Sequence, residues 1–280
     1  VKPRLLFLLK ICIAFIFLGR AYQFLFIDAP LRALFWDESL LSPIVEGIFN
    51  TPWNEYASSL KVTQAIQYFI KAIGVIFALA GIAVFFLRKN SPIILNALMW
   101  VAWAGLLLLA ISIFKSKNYL FLEFLELSLQ LATPALLILY VTQKINYQKL
   151  ILGLKIAVAA TFLPHGLFAM GVPFIPGHFI DMTISILGCT QSQAELFLLI
   201  AGILDAVVAI GIFIPKIERY CLLYAVFWGL TTAFARIWAG FNVDFIALSL
   251  HLNLNQTVYR LVHGIVPLII YLSSRKKANF

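Results

Sequence analysis

Residues 194–214 read AELFLLIAGILDAVVAIGIFI, an apolar run with Glu195 at its edge and Asp205 inside it. At about 1.5 Å rise per residue, roughly 20 such residues cross the hydrocarbon of a bilayer, so this stretch is a membrane span. A carboxylate in that setting costs roughly 2.5 to 3.5 kcal/mol on insertion scales. Asp205 therefore calls for a partner, a wet cavity or a function.

The same reading extends along the chain. Spans are expected at Leu5 to Phe26, Thr63 to Leu87, Ile93 to Phe114, Tyr119 to Tyr140, Leu150 to Met170, Ala194 to Ile214, Tyr220 to Trp238 and Gln256 to Leu272. The expected fold is thus all-α, a polytopic membrane bundle of about eight transmembrane helices. Composition agrees: 62% hydrophobic residues, 12% charged and a mean hydropathy of +0.97 lie far from soluble domains. The net charge of +9 gathers at span ends, where orientation and anionic lipid account for it, so nucleic acid is not an expected partner. Lys2 and Arg4 ahead of an apolar run resemble a signal peptide. Lys10 interrupts that run and no small-residue cleavage site follows, so an uncleaved first span is expected.

Basic clusters at Arg88-Lys89, Lys144 with Lys149, Lys216 with Arg219, and Arg275-Lys276-Lys277 close alternate spans. Acids crowd the first long connection. The positive-inside rule then places both termini in the cytoplasm, with Lys115 and Lys117 as exceptions. Three connections are long, Ile27 to Val62, Gly171 to Gln193 and Ala239 to Asn255, and all fall on the outer side. Their mixed apolar and polar runs predict interfacial or partly re-entrant helices. No broken mid-membrane helix is expected. Cys12, Cys189 and Cys221 are widely separated, which indicates neither a disulfide framework nor a metal site.

Seven ionisable residues fall within spans: Arg20, Lys71, Glu126, His165, Asp205, Arg260 and His263. Counted from the span ends they form one layer in the outer half of the bilayer, Arg20 for example roughly 10 Å deep. A layer on one side predicts a ligand-sized cavity opening outward. Interhelical ion pairing that fixes register is the competing account of the same residues. Zinc lacks a third ligand at helical spacing, and haem held by His165 and His263 is disfavoured because each half supplies one histidine.

The chain also aligns with itself. Phe17-Leu18-Gly19-Arg20 matches Phe162-Leu163-Pro164-His165, and Gly74 and Gly81 match Gly202 and Gly211. Aligning Pro134 with Pro267 sets Gln130 opposite His263 and Glu126 opposite Tyr259. Two tandem four-helix repeats are expected, 1–149 and 150–280, related by an axis near the membrane normal.

A polar residue and glycine late in the first helix (Gly19-Arg20-Ala21; His165-Gly166), an outer helical segment and a Gly-rich helix such as Ala201-Gly202-Ile203-Leu204-Asp205 make this unit similar to the DoxX-like superfamily. That superfamily includes the DoxD subunit of thiosulfate:quinone oxidoreductase and the MauE-type membrane proteins. The resemblance implies a quinone-linked or redox-associated accessory subunit of the bacterial inner (cytoplasmic) membrane, without autonomous enzymatic activity. Quinone is the implied ligand, and an extracytoplasmic protein the implied partner. The HG pairing is met only at His165-Gly166, since Arg20 stands in the first half. Independently of the resemblance, Arg20, His165, Arg260 and His263 are the candidate hydrogen-bond donors for a carbonyl headgroup, with Glu126 or Asp205 to exchange protons. A transporter or lipid-handling protein, or a scaffold recruiting a partner through its outer loops, are the alternatives.

Overall fold

Apolar stretches of this length satisfy their backbone groups internally only as helices, and the computed structural model is helical throughout, with no strand among the described residues, 3–274. Among the described residues eight helices are long and apolar enough to cross a membrane: Pro3–Ile27, Leu60–Phe86, Ile93–Ser116, Phe121–Val141, Tyr147–Ala169, Gln191–Gly211, Glu218–Ala239 and Val243–Ser274. They are spans one to eight below. Lys2 of the signal-like N-terminus and the Arg275-Lys276-Lys277 cluster used for orientation lie outside the described residues.

Two spans differ from expectation. Span eight starts about a dozen residues earlier than Gln256, because Ile246–Arg260 is one continuous helix. Its segment 246–255, IALSLHLNLN, alternates apolar and polar residues and so carries no helical period. Tertiary contacts hold it helical: His251 shares a 2.7 Å hydrogen bond with the Tyr22 hydroxyl of span one, and the buried Ser249 hydroxyl accepts from the Asn242 N–H.

Spans four and eight are also interrupted at the polar layer, contrary to the expectation of unbroken helices. Span four comprises Phe121–Leu125 and Ser128–Val141, and span eight Ile246–Arg260 and Val262–Ser274. Both interruptions are tightened turns rather than unwound segments. Leu127 N–H bonds to Phe124 three residues back, and Leu261 N–H is shared between Thr257 and Val258. In span four the freed Leu129 N–H is donated to Thr161 Oγ1 of span five, at 3.0 Å.

Packing follows one scheme in each half. Span one packs on two, two on three, three on four, and one on four; five packs on six, six on seven, seven on eight, and five on eight. The halves meet through span four against five and span eight against one. Spans one, four, five and eight thereby form the centre. Close approach needs small residues where backbones touch. At Gly229 of span seven an added Cβ would lie 2.4 Å from the His263 carbonyl oxygen of span eight.

The loop-rich end carries four short helices, Arg32–Phe35, Glu38–Gly47, Trp53–Ser58 and Gly177–Leu187. Asp37 caps the second of these, accepting from Leu40 N–H at 2.8 Å and from the Ser39 hydroxyl, and it is ion-paired with Lys115 of span three. That pair and Lys117 with Glu123 account for the two lysines on the unexpected side: each is matched by an acid at the same end. At the opposite end Lys155 pairs with Glu218 at 2.8 Å, and Lys10 donates to the Phe85 and Leu87 carbonyls, so cations there also have partners.

Two outcomes follow from this packing. Gly229→Ala should lower the thermal midpoint of the detergent-solubilised protein by the equivalent of about 1–3 kcal/mol, whereas Gly177→Ala, with nothing within 4 Å of its Cβ, should leave it unchanged. Equal midpoints for the two variants would contradict the close span seven–eight contact. The second outcome concerns Asp37, whose carboxyl is held down to about 2, chiefly by its bond from Lys115 and then by Ser39 and Leu40. A depressed carboxylate contributes stability above its unfolded value of about 3.9. That contribution is lost as pH falls through about 2, so amide exchange across 38–47 should accelerate below pH 4 ahead of the spans, and Asp37→Asn should reproduce the acceleration at neutral pH.

Candidate functional site

The four central spans bring most of the ionisable layer to one seam. Arg20 is 4% exposed, so its charge is fully removed from solvent. Its Nε donates to Gln130 Oε1 of span four at 2.9 Å, its Nη1 to Gln23 Oε1 at 2.7 Å, and its guanidinium carbon stands 3.7 Å from the centre of the Tyr259 ring of span eight. Gly19 makes this stacking possible, because a Cβ there would sit 2.9 Å from the Tyr259 nitrogen. The charge is thus satisfied by amide oxygens and an aromatic face.

On the other side of the seam, His165 Nδ1 lies 2.7 Å from Glu126 Oε1, joining span five to span four. His263 Nδ1 donates to the Arg260 carbonyl at 2.8 Å. The two imidazoles face each other with centroids 5.7 Å apart. Each ring has Nδ1 committed, which leaves Nε2 as the atom free to meet a ligand. Arg20 thus contacts Gln130 and Tyr259, and His165 contacts Glu126 and His263.

Two cavities adjoin the seam. One of about 200 Å³ lies among spans five to eight and the helix Gly177–Leu187, with apolar walls that include Phe162, Phe179, Met182, Ile186 and Leu198. Its polar pole is His165, Asp205, Trp228, Arg236, Arg260 and His263. The other, of about 190 Å³, lies between the halves and is lined by Arg20, Gln23, Glu123, Glu126, Gln130 and Tyr259. His165, Arg260 and His263 line both, and form the partition between them.

Asp205 belongs to the first cavity, where its Oδ2 accepts from Trp228 Nε1 at 3.3 Å and its Oδ1 is buried without a partner. Lys71 is the exception among the seven expected residues. It is exposed on span two and lines neither cavity, because Ile70, Ile73, Gly74 and Phe77 form the buried face and leave Lys71 on the flank with Tyr68 and Val75. Its long stem lets the ammonium reach toward the interface instead.

Arg236, Trp228, Gln23 and Tyr259 join the site although the sequence did not single them out for it. Arg236 lies three residues before the end of span seven, among the shallower members of the polar layer. Its Nε and that of Arg260 are nevertheless buried with no hydrogen-bond partner. Among the described residues no ion pair joins Arg20, Arg236 or Arg260 to a carboxylate, and no group of histidine, cysteine or carboxylate side chains could hold a metal ion. Comparison with protein families, with characterised proteins and with solved structures finds no match for this chain.

The Glu126–His165 contact gives a direct test. Removing one partner of a buried pair leaves the other uncompensated, at about 3–5 kcal/mol when burial is complete and less here, where both side chains keep some exposure. Glu126→Ala should therefore destabilise more than Glu126→Gln, which still accepts the hydrogen bond. The double variant Glu126→Gln/His165→Asn should be less destabilised than the sum of its single changes. Strict additivity in thermal midpoints would show that the two side chains do not interact.

Proposed function

We propose that this multi-pass membrane protein holds a head-and-tail ligand, its head at the His165–Arg260–His263 partition and its tail along the apolar cavity beneath the helix Gly177–Leu187. One observation carries the reading: a cavity whose walls are apolar ends in a pole of buried donors and acceptors, several of them without partners. An amphiphile meets both requirements, whereas a polar solute would leave the apolar walls wet.

Within that reading the protein is an accessory subunit of the DoxX-like kind, and the ligand its resemblance implies is a quinone. The Arg260 donors, and His165 Nε2 when that ring is protonated against Glu126, suit a carbonyl head. The Glu126–His165 pair and Asp205 are placed to exchange a proton with it. In this reading electrons come from a partner at the loop-rich face, the extracytoplasmic side of a bacterial inner membrane. The matched packing of the two halves, and the matched contacts of Arg20 and His165, support descent from a duplicated four-helix unit. A second reading, lipid handling, is favoured by the surplus of arginine over free carboxylate at the pole.

Protein purified in mild detergent should retain an extractable amphiphile, identified by mass spectrometry, with an occupancy that falls at least tenfold in His165→Ala and in His263→Ala. Lys71→Ala should retain it fully. Occupancy unaffected by both histidine changes would refute the placement of the head.

A further inference from the structure

The partition carries more positive charge than its surroundings balance. Arg20, Arg236 and Arg260 have no ion-paired carboxylate among the described residues, and all three act electrostatically on the one ring of Tyr259 between them. Three acids lie nearby. Glu123 is paired with Lys117, Glu126 with His165, and Asp205 bonds to Trp228. With Asp205 ionised, three guanidiniums leave a surplus of two if His165 is protonated against Glu126, and of one if it is neutral. Arg20 meets its charge with two amide oxygens and the Tyr259 ring, so the charge left uncovered is that of Arg236 and Arg260, which an anion in the cavity would balance.

Position narrows what that anion is. Arg236 and Arg260 both line the apolar cavity at its polar pole, and the Nε of each is buried with no hydrogen bond. A guanidinium offers its Nε and Nη donors as a fork that matches two oxygens of one phosphate. Trp228 Nε1 and the Thr232 hydroxyl lie at the same cavity, but the first is committed to Asp205 and the second to the Trp228 carbonyl. Arg260 also bonds toward the Tyr259 hydroxyl, so the donors left unspent are the Nε atoms of the two arginines.

We infer that Arg236 and Arg260 form a phosphate subsite, and that the ligand of this cavity is a phosphate-headed amphiphile whose acyl or prenyl tail runs between spans six and seven under the helix Gly177–Leu187. This inference rests on the amphiphile reading above and specifies its head. The charge of a phosphomonoester, about −1.5 to −2, covers the surplus. A neutral quinone head does not, so this inference builds on the lipid-handling reading rather than the quinone one.

The test uses the full chain purified in detergent, titrated with dioctanoyl phosphatidate, dioctanoylglycerol, inorganic phosphate and a short-chain ubiquinone analogue, read by Trp fluorescence and by thermal midpoint. Saturable phosphatidate binding is expected, at least tenfold tighter than dioctanoylglycerol. Arg236→Gln and Arg260→Gln should each weaken it tenfold or more, and Arg236→Lys, which keeps the charge, by only a few-fold. The wild-type comparison of phosphatidate with dioctanoylglycerol decides the matter even if a glutamine variant fails to fold. Inorganic phosphate that binds as tightly as phosphatidate would support the subsite and identify free phosphate as its source; phosphate that only weakly competes would identify the lipid. Equal affinity for phosphatidate and dioctanoylglycerol, or a quinone analogue binding tightly with no loss in Arg236→Gln, would overturn the phosphate subsite and leave the amphiphile reading standing. Failure of every amphiphile to bind would overturn both.

Discussion

A guanidinium inside hydrocarbon fixes the arrangement of the central spans. Arg20 cannot lose its charge and cannot reach solvent from its 4% exposed position, so the chain must bring partners to it. Those partners come from two other spans: Gln130 of span four, within the same half, and the Tyr259 ring of span eight, from the other half. One side chain thereby ties three of the four central helices. The tightened turns of spans four and eight sit at the same level and place Glu126, Tyr259 and Arg260 at the seam.

The choice of neutral partners for Arg20 has a further consequence. An ion pair with Glu126 would have cancelled both charges and closed the seam. Instead Glu126 is committed to His165, and Arg20 keeps its full charge against an amide and a ring. Buried ion pairs add little net stability, so register alone would be served as well by apolar residues.

Hydropathy alone was enough to read the eight spans, since a 21-residue run around a single Asp205 has no other stable solution in lipid. The layer of ionisable residues was equally legible, because each interrupts an apolar run. What the sequence hid was azimuth. Lys71 and Arg20 stand at similar depth, yet one faces outward and the other inward, and only the neighbours on span two, Ile70, Ile73, Gly74 and Phe77, decide it. Arg236 lies near a span end, and its place at the cavity comes from the packing of span seven against the helix Gly177–Leu187, which lines the same cavity. The outer part of span eight escaped because IALSLHLNLN has no helical period of its own, and its helicity is imposed by contact with span one.

The residues that the internal alignment sets opposite one another carry different side chains. Where the first half places Arg20 and Gln130, the second places His165 and His263; where the first places Glu126, the second places Tyr259. Because the halves meet through spans four and five and through spans eight and one, each half lends its residue to the other: Glu126 orients His165, and Tyr259 receives Arg20. The Arg20 side is then saturated, with its donors spent on Gln130 and Gln23 and its face on Tyr259. The His165 side keeps two Nε2 atoms, the Asp205 Oδ1 and two arginine Nε atoms unspent, and it is this side that opens onto the apolar cavity. An exchange between Arg20 and His165 would therefore not be neutral even though the positions correspond. It would put a fixed charge at the cavity and a neutral ring at the seam, removing the contact that joins spans one, four and eight.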